Sequence, residues 1–142
     1  MIILDTDVLS ALMASSPDEV VIQWLDRQPA ESIWITTVTL FEVRFGIAKL
    51  PAGRRRSDLL SSFETLLEQD LENRILDFDA AAAVEAAALA AVRDRKGRPI
   101  DARDTFIAGI ALARRATVAT RNVRHFKDLS VPVVDPWGAA RT

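Results

Sequence analysis

The sequence contains no cysteine and only one histidine, His125. Without cysteine, the protein has no disulfide scaffold, no thiol catalysis and no cysteine-ligated zinc site. A single histidine also argues against zinc sites built from several histidines and against most histidine-assisted nucleophiles. Any metal ion that this protein binds is therefore expected to have oxygen ligands.

Neither a charge of one sign nor a long apolar run dominates the chain. It has 18 basic and 20 acidic residues, so a nucleic-acid site would have to be a local basic patch. Hydrophobic residues make up 49%, which excludes a disordered chain. The longest apolar stretch, residues 80–92, is alanine-rich, contains Glu85 and is too short to span a bilayer. Residues 1–5 lack the pattern of a signal peptide, and we expect a cytoplasmic protein without membrane association.

Short apolar runs alternate with segments of helical periodicity. Parallel strands need crossovers of about a dozen residues or more, usually helical, and this chain has them. The pattern predicts the α/β class: a three-layer α/β/α sandwich on a mostly parallel sheet, in one domain over residues 1–142. The predicted strands are Ile2–Leu4, 32–37, 117–120 and 131–134, with 75–78 as a strand or connector. Between them, 54–71 is expected to be one long amphipathic helix.

Polar residues follow the predicted strands at their carboxyl ends. Asp5 follows the first strand, Glu42 lies in the first two turns of the helix after the second, and Asp104 lies in the first turn of its own helix. Thr120 and Asn122 follow the strand that begins at residue 117. Ligands of open parallel sheets bind beyond the carboxyl ends of the strands. We therefore expect these side chains to meet at one edge of the sheet.

Such a group of acids has an electrostatic consequence. Two carboxylates about 4 Å apart repel by roughly 4 kcal/mol at an effective dielectric constant near 20. Three mutual pairs would cost on the order of 12 kcal/mol, comparable with the whole stability of a small domain. The cluster is tolerable only if it takes up protons, recruits Arg or Lys, or binds a divalent cation. Oxygen ligands select Mg²⁺ or Mn²⁺, and the reaction class predicted is metal-assisted hydrolysis of a phosphodiester.

Four segments also resemble a known family in order and spacing: IILDTDVLS at 2–10, TTVTLFEVRFG at 36–46, DTFIAGIA at 104–111 and VATRNVRHF at 118–126. They resemble the PIN-domain ribonucleases, most closely the VapC-type toxins of bacterial toxin–antitoxin pairs and, within these, the FitB-like branch. The resemblance implies an endoribonuclease that depends on Mg²⁺ or Mn²⁺ and cuts RNA. It also implies a small cognate antitoxin (VapB-like) that blocks the acidic pocket, and a homodimer that can assemble further with the antitoxin.

By this resemblance, Asp5, Glu42 and Asp104 are the metal-binding acids. The fourth acidic position of the family falls on Asn122, where many relatives carry aspartate. Asn122 can hold a metal-bound water by hydrogen bonding, but it supplies no negative charge. Thr120 resembles the hydroxyl that orients the nucleophilic water.

Two further acids lie near the predicted site. Asp7 is expected to cap the first helix and to support the site from behind. Asp101 lies three residues before Asp104, so both can share one helix face. Asp101 either supplies the missing fourth charge as a metal ligand or caps its helix.

The basic residues divide into those beside the site and those elsewhere. Arg121 and Arg124 lie beside it and are candidates for phosphate contacts. The basic cluster that begins at Arg93 is expected to be a solvated helix end. His125 is expected to be a packed or surface residue rather than a catalyst.

Two other functions are compatible with parts of the sequence. In a haloacid-dehalogenase-like phosphatase, Asp5 would be the nucleophile and Asp7 the general acid. That class needs an acidic pair late in the chain at the end of an apolar strand, and it leaves Glu42 without a role. A catalytically weak module that only binds RNA or a partner is the other alternative, supported by Asn122.

Overall fold

A five-stranded parallel sheet forms the centre of the protein in the computed structural model, which describes residues 1–138. The strands are β1 (Ile2–Leu4), β2 (Ile33–Thr36), β3 (Ile75–Leu76), β4 (Thr117–Ala119) and β5 (Val133–Val134). Their order is β3-β2-β1-β4-β5, and every neighbouring pair is parallel. The chain reverses its direction of strand addition between β1 and β4. In open α/β sheets this switch point is where ligands bind.

Helices cover both faces of the sheet, which confirms the predicted three-layer α/β/α sandwich. They are α1 (Thr6–Met13), α2 (Glu19–Asp26), α3 (Thr37–Ala48), α4 (Arg54–Thr65), α5 (Ala80–Arg95) and α6 (Ala102–Arg114). One hydrophobic core lies between the sheet and helices α1 to α4, with Phe63 fully buried in it. The other lies between the sheet and helices α5 and α6, around Ile107 and Ile110. Within residues 1–138, every helix is too short or too polar to cross a lipid bilayer.

Alternating side chains of β1 connect the two cores. Leu4 belongs to the core under α1 to α4, and Ile3 to the core under α5 and α6. Successive side chains of a strand point to opposite faces, so both residues are buried although they are neighbours. Asp5 comes next, where the strand ends and α1 begins.

Helices α5 and α6 approach each other closely because their contact is made of small side chains. Ala82 and Ala86 of α5 are buried against α6. A Cβ atom on Gly109 of α6 would lie 2.5 Å from the Ala82 carbonyl oxygen and 2.7 Å from Ala86 Cβ. This contact fixes the position of α6, which carries Asp104 in its first turn.

The structure corrects two of the helix predictions. Asp5, not Asp7, is the N-cap of α1, with Oδ1 accepting a hydrogen bond from the Thr6 N–H at 2.8 Å. The single helix expected over 54–71 is instead α4 followed by a π-helical turn, Leu66–Asp70.

Candidate active site

Asp5 is buried where β1 ends, and Thr120 reaches it from the end of β4. The Asp5 side chain is only 3% exposed. The Thr120 hydroxyl donates a hydrogen bond to Asp5 Oδ2 at 2.7 Å, and the Thr120 hydroxyl oxygen accepts one from the Asn122 N–H at 3.0 Å. The adjacent β1 and β4 strands therefore bring together two residues that are 115 positions apart.

Glu42 joins this edge of the sheet from the second turn of α3. The Thr6 hydroxyl donates to Glu42 Oε1 at 2.8 Å and lies 3.0 Å from the Thr39 hydroxyl. Arg103 Nη1 lies 3.6 Å from Glu42 Oε2. Because Arg103 is half-exposed, solvent screens this ion pair, and the Thr6 hydrogen bond is the firmer attachment.

Asp104 is held by His125. His125 Nδ1 lies 2.6 Å from Asp104 Oδ2. His125 stands in the short 3₁₀ turn Val123–His125, just after β4. It is partly exposed, as expected, but its ring has a specific partner that the sequence analysis missed. Its place in the same loop as Thr120 and Asn122 was the available signal.

The pKa of Asp5 is raised to about 7. Burial is the largest cause, followed by the charge of Asp7, while the hydrogen bonds from Thr120 and Thr6 oppose the shift and the charge of Asp104 adds to it. The pKa of Asp7 is also raised, again chiefly by burial and with a contribution from Asp104. These acids are therefore close enough to repel one another.

Asp7 supports the site in a way that differs from the predicted helix cap. Its Oδ2 accepts a hydrogen bond from the Arg121 N–H at 3.1 Å, which ties α1 to the loop after β4. Its Oδ1 is buried and has no hydrogen-bond partner among residues 1–138. A buried carboxylate oxygen without a donor is costly, and a proton, water or cation near it would lower that cost.

The donor chemistry of the site fits a hard divalent cation, but the side chains are not arranged around one. No three His, Asp or Glu side chains within residues 1–138 lie close enough to bind one ion as they stand. Glu42 Oε1 accepts from Thr6 and Asp104 Oδ2 contacts His125, so each carboxylate uses one oxygen for a protein partner. Carboxylate oxygens are nevertheless the ligands that Mg²⁺ and Mn²⁺ prefer, and the burial of Asp5 favours a neutralising partner.

The remaining predicted residues lie at the rim. Asp101 is the N-cap of α6, with Oδ1 accepting from the Arg103 N–H at 2.8 Å, and this hydrogen bond lowers the pKa of Asp101. The cap interpretation is thus observed, and a metal-ligand role remains a prediction. The Arg121 guanidinium lies 4.7 Å from the Trp137 ring centre. Arg124 and Asn122 are exposed beside it.

Arg93 contradicts its prediction as part of a solvated helix end. It is 3% exposed and forms a bidentate ion pair with Asp128. The partner lies 35 residues away, so no local pattern around Arg93 could have identified it.

The sequence profile of the PIN domain matches residues 2–131. The chain belongs to the PIN-domain family. Among its relatives, the "VapC ribonuclease Y4jK" of Sinorhizobium fredii is 36% identical over 140 residues, covering 99% of this chain and 100% of the relative. The "Toxin FitB" of Neisseria gonorrhoeae is 34% identical over 137 residues, covering 96% of this chain and 99% of the relative.

A solved structure agrees with the sequence relatives of this PIN-domain protein. The structure of FitAB bound to the IR36 DNA fragment superposes with a TM-score of 0.88 at 34% identity, covering 96% of each chain. The resemblance to VapC-type and FitB-like PIN proteins is thereby confirmed, together with the fold. Family membership sets aside the haloacid-dehalogenase-like alternative.

Proposed function

We propose that this PIN-domain protein is an endoribonuclease that depends on Mg²⁺ or Mn²⁺ and acts as the toxin of a VapBC-type toxin–antitoxin pair. The observation that carries the proposal is that Asp5, Glu42, Asp104 and Thr120 all lie at the same edge of the sheet, beside its switch point. It is supported by likeness to proteins named as a VapC ribonuclease and a FitB toxin.

In this proposal Asp5, Glu42 and Asp104 hold the metal ion. Their carboxylates provide an all-oxygen ligand set, and Asp101 is a further candidate at the rim. A divalent cation bound there supplies a Lewis acid for the phosphodiester and a source of nucleophilic water at neutral pH. Asp5 is a suitable ligand because its raised pKa reflects a buried charge that a cation stabilises.

The residues after β4 bind and orient the reactants. The Thr120 hydroxyl, which already donates to Asp5, has a lone pair with which to orient a water molecule. Asn122 can hold water by its side-chain amide without adding charge. Arg121 and Arg124 are placed to contact phosphate groups of the RNA, with Arg121 held against Trp137.

The partners follow from the same proposal. We assign a VapB-like antitoxin as the partner of this protein, because the FitAB complex contains a chain of the same fold. We also assign a cytoplasmic location, where the protein would meet its RNA substrate. A homodimer, able to assemble further with antitoxin, would cover exposed apolar residues of α3. There Phe41 and Phe45 are 57% and 49% exposed and stack on each other with ring centres 5.8 Å apart. The whole chain, 1–142, acts as one domain.

An RNA-cleavage assay tests the proposal. Purified protein should cut RNA in Mg²⁺ or Mn²⁺ and not in EDTA, and Asp5→Asn and Asp104→Asn should each abolish cleavage while the fold is retained. The exposed Asp58→Asn, in α4, is the matched control and should cut at the wild-type rate. Wild-type cleavage by both site variants would refute the assigned roles. Binding of RNA without cleavage in either metal would instead favour the weak RNA-binding module.

A further inference from the structure

A buried arginine links three elements behind the candidate active site. Arg93, in the last turn of α5, donates from Nε and Nη2 to the two carboxylate oxygens of Asp128 at 2.9 and 2.8 Å. Nη2 also donates to the His125 carbonyl oxygen at 2.6 Å, and Nη1 donates to the Thr105 hydroxyl at 3.1 Å. The guanidinium thus has a protein acceptor at each of its three nitrogens.

These contacts hold two residues next to Asp104: Thr105, which follows it in the chain, and His125, which contacts its carboxylate. Thr105 follows Asp104 in the first turn of α6, and its hydroxyl also donates to the Asp101 carbonyl oxygen at 3.2 Å. His125 presents its ring nitrogen to Asp104 Oδ2 at 2.6 Å. One guanidinium therefore contacts both the helix turn that carries Asp104 and the backbone of the residue whose ring contacts the Asp104 carboxylate.

The Arg93 network has the properties of a rigid support. The hydrogen bond from Arg93 lowers the pKa of Asp128, so the pair stays ionised. A planar guanidinium can satisfy four acceptors in fixed directions, whereas a lysine ammonium has three donors and no fork geometry. The protein keeps a charged side chain buried here, and such a charge is tolerated only when it is paired and hydrogen-bonded.

A carboxylate oxygen accepts hydrogen bonds, so the contact with Asp104 uses the His125 tautomer that carries its hydrogen on Nδ1. The bond engages Oδ2 alone, since no hydrogen bond to Asp104 Oδ1 is observed within residues 1–138. Groups that hold the outer oxygen of a ligating carboxylate determine how its other oxygen is presented.

We propose that His125, held in place by Arg93, is a positioning residue that orients the Asp104 carboxylate for the divalent cation. The inference rests on the proposed function. His125 acts through Asp104 and not on the RNA, so its loss should weaken metal binding and lower kcat, with KM for RNA little changed. Hydrogen-bonding partners of metal ligands typically contribute about 10- to 100-fold in metal affinity or activity.

Two substitutions at His125 separate the hydrogen bond from the rest of the ring. His125→Ala removes the donor, whereas the side-chain amide of His125→Asn can place an N–H near the position of Nδ1. Mn²⁺ affinity is measured by electron paramagnetic resonance or calorimetry on the RNA-free protein, and cleavage is measured in parallel. We expect His125→Ala to bind Mn²⁺ at least about 10-fold more weakly, and His125→Asn to recover most of that loss.

A pair of arginine variants tests the support behind His125. Arg93→Lys should weaken Mn²⁺ binding as His125→Ala does. Arg114→Lys is the matched control, because Arg114 also pairs with an aspartate, Asp79, across α5 and α6, but at the opposite, solvent-exposed end of the two helices. If Arg93→Lys does not fold, the two His125 variants decide the question.

The outcomes distinguish this inference from the proposed function. Wild-type protein that binds Mn²⁺ and cuts RNA, with an His125→Ala variant that does both equally well or binds Mn²⁺ more tightly, overturns the inference alone. Equal losses in His125→Ala and His125→Asn also overturn it, because the hydrogen bond would then not be the cause. Wild-type protein that neither binds Mn²⁺ nor cuts RNA overturns both.

Discussion

Asp5 is a buried acid whose ionisation opposes folding. Its pKa of about 7 in the folded protein lies well above the ordinary value of 3.8. Hydrogen bonds from Thr120 and the Thr6 N–H reduce the shift but do not remove it, because burial and the charge of Asp7 are larger effects. Residues with pKa values displaced in this way are concentrated at functional sites, where a ligand or a reaction makes use of the charge.

Asp5 predicts how the stability of the metal-free protein depends on pH. Between about pH 4 and 7 the folded state keeps a proton that the unfolded state has lost, so the free energy of unfolding falls as pH rises through this window. The expected loss is on the order of a few kcal/mol. Urea unfolding in EDTA should therefore give a lower midpoint at pH 8 than at pH 5.

The Asp5→Asn variant is the control for that titration. It cannot ionise at position 5, so its midpoints at pH 5 and pH 8 should differ less than those of the wild type. Asp101 and Asp128 have lowered pKa values, so their titration changes the free energy of unfolding only at a pH below the window in which Asp5 titrates. A wild-type midpoint that is equal or higher at pH 8 would contradict the assignment.

The packing of α5 against α6 positions Asp104, which lies in the first turn of α6. Small residues of α5 let the two backbones approach, and Gly109 is the point of closest approach. Gly46, near the C-terminal end of α3, is also helical, but a Cβ atom added to it would have no atom within 4 Å. The same substitution should therefore have opposite effects in these two helices.

Gly109→Ala should destabilise the protein by roughly 1–3 kcal/mol, because the added methyl group must displace the Ala82 carbonyl or Ala86. Gly46→Ala should stabilise it by about 0.5–1 kcal/mol, because alanine loses less backbone entropy in a helix. Chemical denaturation of both variants checks the pair. A neutral or stabilising Gly109→Ala would mean that α5 and α6 are not packed as closely as described.

The molecule as a whole gathers acids that are far apart in the chain. Parallel strand order β3-β2-β1-β4-β5 puts the ends of β1 and β4 side by side, and α3 and α6 add Glu42 and Asp104 to the same edge. Mutual repulsion in this region makes the metal-free fold less stable than its cores would allow. A ligand that binds only the folded state should restore that stability.

Millimolar Mn²⁺ should consequently raise the melting temperature of the wild-type protein. At a free concentration 100 times Kd, binding stabilises a protein by ~2.7 kcal/mol, which corresponds to a shift of several degrees. Asp5→Asn should melt higher than the wild type without metal and respond less to Mn²⁺. Differential scanning calorimetry measures both, and an unchanged wild-type melting curve would count against a metal site at this edge.

Much of the site could be predicted because its acids stand next to recognisable local patterns. Asp5 follows an apolar run, and Asp104 opens a helix with a regular apolar face, so each could be placed at the carboxyl edge of a parallel sheet. The N-cap of α1 was assigned to Asp7 because the sequence does not show on which residue a helix begins. The backbone leaves β1 at Asp5 and enters α1 at the next residue, so Asp5 both follows the strand and caps the helix.

The contacts of Arg93 and His125 could not be predicted in the same way. Arg93 stands at a helix end rich in charges, which is ordinarily solvated, and its partner Asp128 comes from a loop beyond β4. The His125–Asp104 contact joins residues that are 21 positions apart. Neither pairing has a periodic signal, and the place of His125 in the loop after β4 does not by itself name Asp104 as its partner.

Hydrophobic periodicity and the residues that end each strand were enough to determine the α/β class and to predict the edge at which the acids lie, while the lack of cysteine and the single histidine predict oxygen ligands for any metal ion. These properties are encoded locally, in the spacing of side chains along single elements. The partners of those acids were decided only by the tertiary structure: Thr120 on Asp5, Thr6 on Glu42 and His125 on Asp104. A hydrogen bond depends on fractions of an ångström and on direction, and only the packing of whole helices against the sheet sets these.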